Sequence, residues 1–102
     1  LKLLIASEDH LGLNSNVYEQ ILDAPYFTVV DYNSEKVNKV INLENELSEN
    51  KVNDFMQLIA EKNVNTVICN ELSLELKHRL KEKDVNIVFN KKGRIADLIK
   101  NL

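Results

Sequence analysis

The stretch Val64-Asn65-Thr66-Val67-Ile68-Cys69-Asn70-Glu71-Leu72-Ser73-Leu74-Glu75-Leu76-Lys77-His78-Arg79-Leu80-Lys81-Glu82-Lys83-Asp84-Val85-Asn86-Ile87-Val88-Phe89 decides the fold. Two β-branched runs flank a helical pattern from Ser73 to Lys83, in which Leu72, Leu76 and Leu80 recur every fourth residue. Strand, helix and strand in this order form a β–α–β unit, because the helix carries the chain back so that the second strand runs parallel to the first. Ser73 is the predicted helix cap. His78 lies off the leucine stripe and is expected in solvent.

On the amino-terminal side, Ser48 is the expected cap of a helix whose Val52, Phe55, Met56 and Ile59 share one face, and Asn63 suits a left-handed residue at its end. Residues 2–7 are an apolar run bounded by acids, which fits a strand buried on both faces at the centre of a sheet. A loop follows from Glu8 to Asn16. Asn16 with Glu19 reads as a capping box for a short helix carrying Val17, Tyr18, Ile21 and Leu22 on one face, ended by Pro25. Tyr26 to Tyr32 reads as a strand, Asn33-Ser34-Glu35 as a turn, and residues 37–43 as a second strand with Val37, Ile41 and Leu43 on one side. Lys39 falls on that apolar side, which predicts an edge strand, where a charge discourages unwanted pairing. On the carboxyl side, Lys91-Lys92-Gly93 turns into a last helix with Ile95, Leu98, Ile99 and Leu102 inward.

These elements predict an α/β fold: three α/β/α layers around a mixed five-stranded sheet with an antiparallel hairpin at one side. Ligands in such sheets collect beyond the carboxyl ends of the parallel strands. That rim carries Ser7-Glu8-Asp9-His10, Cys69-Asn70-Glu71 and Asn90-Lys91-Lys92.

With 102 residues the chain reads as one domain, and a domain of this size buries roughly 65% of its unfolded surface without metal or disulfide help. A formal charge of −3 with mixed signs argues against nucleic-acid binding, and the lysine clusters at 81–83 and 91–92 read as solvated helix ends and a turn. The single cysteine points to a reducing cytoplasm. The opening apolar run is too short for a membrane span or a secretory signal.

Cys69 is the first chemical candidate, although a lone thiol at a strand end is more often a small buried hydrophobe than a ligand. His10, Glu8 and Asp9 are candidates to join it in a mixed metal site. Glu8, Asp9 and Asp31 offer oxygen ligands for Mg²⁺ in a hydrolase, but no base or activated nucleophile stands at motif spacing, so an enzyme is disfavoured. A phosphoacceptor receiver is excluded because Asp31 comes too early, on the hairpin.

Several local words are similar to those of a known family. Lys2-Leu3-Leu4-Ile5-Ala6-Ser7, Ala24-Pro25-Tyr26-Phe27 with Val29-Val30-Asp31, Asn65-Thr66-Val67-Ile68-Cys69 and Gly93-Arg94-Ile95-Ala96-Asp97-Leu98 together resemble the small dinitrogenase iron–molybdenum cofactor-binding domains. The resemblance runs over nearly the whole chain. It implies a ribonuclease H-like motif, a non-enzymatic carrier role, an iron–sulfur or iron–molybdenum cluster as cofactor, and a ligand contact at Cys69; Asn70, Glu71 and His10 join it as candidate ligand residues by their place on the rim. The departures fall on the ligand-facing parts. Gln20-Ile21-Leu22-Asp23 stands where the family has His-Phe-Gly-Arg, and Asn70-Glu71 and Ser73 stand where it has glycines. Glycines let backbone amides approach an anion, whereas a glutamate adds negative charge and bulk. An interaction domain that keeps the fold without the cluster, with a protein partner or as a homodimer through the hairpin edge, is the competing expectation.

Overall fold

Leu3, Leu4, Ile5 and Ala6 are almost wholly buried because their strand is the middle of the sheet. A computed structural model describes residues 1–102, with β1 (Lys2–Ser7), β2 (Tyr26–Asn33), β3 (Lys36–Glu44), α1 (Lys51–Glu61), β4 (Thr66–Ile68), α2 (Leu74–Glu82), β5 (Asn86–Val88) and α3 (Ile95–Lys100). The strand order is β3-β2-β1-β4-β5. The β1–β2 and β2–β3 pairs are antiparallel, and β1–β4 and β4–β5 are parallel. The sheet is mixed, as expected.

Side chains alternate across each strand, so the two sheet faces make two cores. Leu4, Ala6, Phe27, Val29, Val67 and Cys69 pack with Phe55 and Ile59 of α1 and Leu76 and Leu80 of α2. Leu3, Ile5, Val30 and Ile68 pack with Ile95 and Ile99 of α3. Two helices therefore cover one face and one covers the other, completing the three layers.

Ser73 caps α2 as predicted, accepting the Leu76 amide at 3.2 Å. Asn63 is left-handed at φ 56° after α1. The cap of α1 is Asn50 and not Ser48; Ser48 instead donates its backbone amide to Asp54 Oδ2 at 2.8 Å. β3 is an edge strand, as expected, and β5 is the other. The register of β3 on β2 shifts between Asp31 and Tyr32, so that Asp31 faces Lys39 and Tyr32 faces Val37. Asn38 is the extra residue of this bulge, which inverts the alternation. Val37 consequently joins Val40 on the α3 face, apart from Ile41 and Leu43, which lie on the α1 face.

The expected helix after Asn16 does not form. The chain makes short 3₁₀ turns at Gly12–Asn14 and Ile21–Asp23, and between them it runs extended. Tertiary partners outcompete a helix too short to stand alone. Val17 donates to the Gly93 carbonyl at 2.9 Å and Tyr18 to the Ala6 carbonyl at 2.9 Å, while Ser7–Val17 and Gln20–Glu71 form isolated bridges. No helix is long and apolar enough to cross a membrane.

Candidate functional site

The carboxyl ends of β1, β4 and β5 meet at one rim, and Asn70 stands at its centre. Two open grooves share this residue. One, of about 540 Å³, has Gln20, Glu71, Ser73, Lys77 and Phe89 in its walls. The other, of about 390 Å³, runs past Glu8, Asn16, Glu19 and Lys92. Three carboxylates and two ammonium groups line the pair of grooves, a nearly balanced field that selects neither sign strongly.

Cys69 leaves β4 directly beneath Asn70 but points into the core, with no exposed surface. Its amide donates to the Val88 carbonyl at 2.9 Å, and its own carbonyl accepts the Lys91 amide at 3.0 Å. Burial pushes the thiol up to about 11, because a thiolate would have to form without water. It is a neutral packing group at physiological pH. Asn70 accepts the Asn90 amide at 2.9 Å. Glu71 donates its amide to the Glu19 carbonyl at 3.0 Å, and its carboxylate accepts a short hydrogen bond from Gln20 Nε2. The 16–24 segment thus grips the very turn in which free amides would receive an anion.

His10 sits away from Cys69. Its ring lies 5.7 Å from that of Tyr26, tilted by 53°, and it lines neither groove. Asp9 turns inward, where Oδ1 accepts Ser15 Oγ at 2.5 Å and the Leu11 amide at 3.2 Å. The expected mixed site of Cys69, His10, Glu8 and Asp9 is therefore not assembled. Nor is the expected oxygen site of Glu8, Asp9 and Asp31. Asp31 pairs with Lys2 at the opposite end of β1, a strand of six residues and hence roughly 17 Å away. No three His, Cys, Asp or Glu side chains are grouped to hold a metal ion.

An anionic metal–sulfur cluster needs thiolate or imidazole ligands, or converging amides. Here the thiol is neutral and enclosed and the imidazole packs on Tyr26; of the rim amides, those of Glu71, Asn90 and Lys91 are engaged by carbonyls, while those of Asn70, Leu72 and Ser73 have no protein acceptor and could serve a guest only through hydrogen bonds. The residues present do not fit a cluster bonded to the protein.

Residue-level reading missed the outer wall of the larger groove. Leu74 is 69% exposed and Phe89 is 46% exposed, and Lys77 Nζ lies 5.3 Å from the centre of the Phe89 ring. The available signal was that Leu74 falls off the Leu72, Leu76 and Leu80 stripe yet is apolar.

The family model described as dinitrogenase iron-molybdenum cofactor matches residues 1–102. PH0822 shares 25% identity at a TM-score of 0.88, over 98% of this chain and 86% of its own. The mj0327 protein of Methanocaldococcus jannaschii shares 20% identity at a TM-score of 0.72, over 97% and 84%. The apo form of the orange protein from Desulfovibrio gigas shares 14% identity at a TM-score of 0.79, over 98% and 84%. No curated protein matches the chain significantly.

Proposed function

The chain belongs to the dinitrogenase iron-molybdenum cofactor family, and from that premise we propose that it is a non-enzymatic binding domain that takes a small polar guest at the rim around Asn70, without metal–protein bonds. The observation that carries this reading is the pair of grooves meeting at Asn70, where the parallel strands open to solvent. Hydrogen bonds from the side chains of Asn70 and Asn90, with Lys77 alongside, supply recognition there. The carriage role comes from the family; non-covalent holding comes from the buried, protonated Cys69.

Protein purified without oxygen, analysed for iron, molybdenum and sulfide, and then titrated with molybdate or reconstituted with iron and sulfide, tests the reading. The expected result is amide shifts confined to the rim, with affinity unchanged in Cys69→Ala. A charge-transfer absorption lost in Cys69→Ala would defeat it, as would the absence of any rim shift.

A second reading, an interaction domain that has given up the ligand, is favoured by the tie of Gln20 and Glu19 to Glu71 across the mouth. It expects no metal uptake and a partner or second copy at the hairpin edge, which light scattering measures.

A further inference from the structure

Away from the rim, α1 and the end of β3 enclose a groove of about 270 Å³. Phe27 and Leu43 face one another across the β2–β3 ladder, and together with Leu47 and Leu58 they line its floor. Its edges are acidic: Glu44 and Glu46 on the strand side, Asp54 and Glu61 on the helix side. Asp54, Leu58 and Glu61 recur at helical spacing, so the two α1 acids bracket the apolar floor over about 10 Å.

These carboxylates are not neutralised from within. The ion pairs of the molecule are Lys51 with Asp23 at 2.7 Å and Arg94 with Asp97 at 3.2 Å, and neither involves the groove. Lys62 is the single cation among the lining residues. Hydrogen bonds from the hydroxyl and amide of Ser48 hold the Asp54 carboxyl below its ordinary range, so it stays ionised. The whole chain is polarised in the same sense: residues 1–69 carry eleven acids against five lysines, and residues 70–102 carry five acids against eight lysines and arginines.

An apolar floor inside a charged rim is the anatomy of a protein interface. Four carboxylates repel nucleic acid and anionic lipid, and they attract cationic protein segments. The volume suits one aliphatic side chain. We propose that this groove docks a basic segment of a partner protein, one apolar anchor flanked by lysines or arginines, independently of whatever occupies the rim.

The ¹⁵N-labelled full chain, titrated with the synthetic peptide Lys-Lys-Lys-Leu-Lys-Lys-Lys, provides the test. Amide shifts are expected on residues 43–47 and 54–61. Replacing Glu44, Glu46 and Glu61 together by glutamine should weaken binding about tenfold, as expected for three exposed charge contacts. These side chains are at the surface, so the spectrum of the triple variant should remain folded. The same peptide with serine for the leucine should bind at least several-fold more weakly. Equal binding of the serine peptide, or shifts spread equally over Glu8 and Glu19, would overturn the proposal. Self-association of the protein alone that the triple variant abolishes would also overturn it, in favour of a second copy presenting Phe89, Lys91 and Lys92.

Discussion

At the scale of single residues, Cys69 shows how position overrides chemical type. Its thiol ionises at about 11 rather than 9.0 because it is buried. The unfolded chain therefore loses this proton first as the pH rises. The stabilisation is complete below pH 9, is lost between pH 9 and about 11, and amounts to about 2–3 kcal/mol. The urea stability of Cys69→Ala should lack this alkaline loss, so its deficit relative to the parent should shrink over that interval. Thiol reagents at pH 8 should modify Cys69 only after unfolding. Asp54 runs the opposite way: its carboxyl is lowered first by the Ser48 hydroxyl and then by the Ser48 amide. Its contribution is present above the ordinary carboxylate range and lost as pH falls through the depressed value. NMR titration of Ser48→Ala should show the Asp54 carboxyl titrating at higher pH than in the parent.

At the scale of elements, the hairpin turn is where the chain works against local preference. Ser34 at φ 50° and Glu35 at φ 62° are both left-handed, the geometry of a two-residue turn that favours asparagine and glycine. Replacing the pair by Asn-Gly should raise stability by about 1 kcal/mol, read as an increased urea midpoint at unchanged slope. Capping works in the other direction. Ser73→Ala removes the acceptor of the Leu76 amide and should cost about 1 kcal/mol. Ser48 and Asn16 are instructive for the same reason. Each has the chemistry of a cap, yet the caps are decided by where the backbone turns: Asn50 takes the first role, and Asn16 lies in an extended segment bridged to Arg94.

At the scale of the molecule, the larger core is organised by Phe27 and Phe55, whose rings meet edge to face with centres 5.6 Å apart. Both are fully buried. Phe55→Ala should cost about 3–5 kcal/mol in chemical unfolding, a large share of the 5–15 kcal/mol expected for a domain of this size. The β–α–β unit, the central place of β1, the edge place of β3 and the Ser73 cap were legible in the sequence. Each follows from periodicity, or from a side chain acting on a neighbour three or four residues away. The site was legible only as a location. The direction of the Cys69 side chain, the tilted contact of His10 with Tyr26, the distance of Asp31 from Glu8 and the clamp of Gln20 on Glu71 all depend on residues far apart in the chain. The bulge at Asn38 belongs with them, since one unpaired residue moves Val37 to the other face without altering composition. Local patterning by itself determined which segments are helix and strand and which faces are apolar, because those preferences are summed over adjacent residues. Only the folded arrangement decided which polar groups remain free for a guest, because that depends on whether a distant strand or loop has already supplied their hydrogen-bond partners.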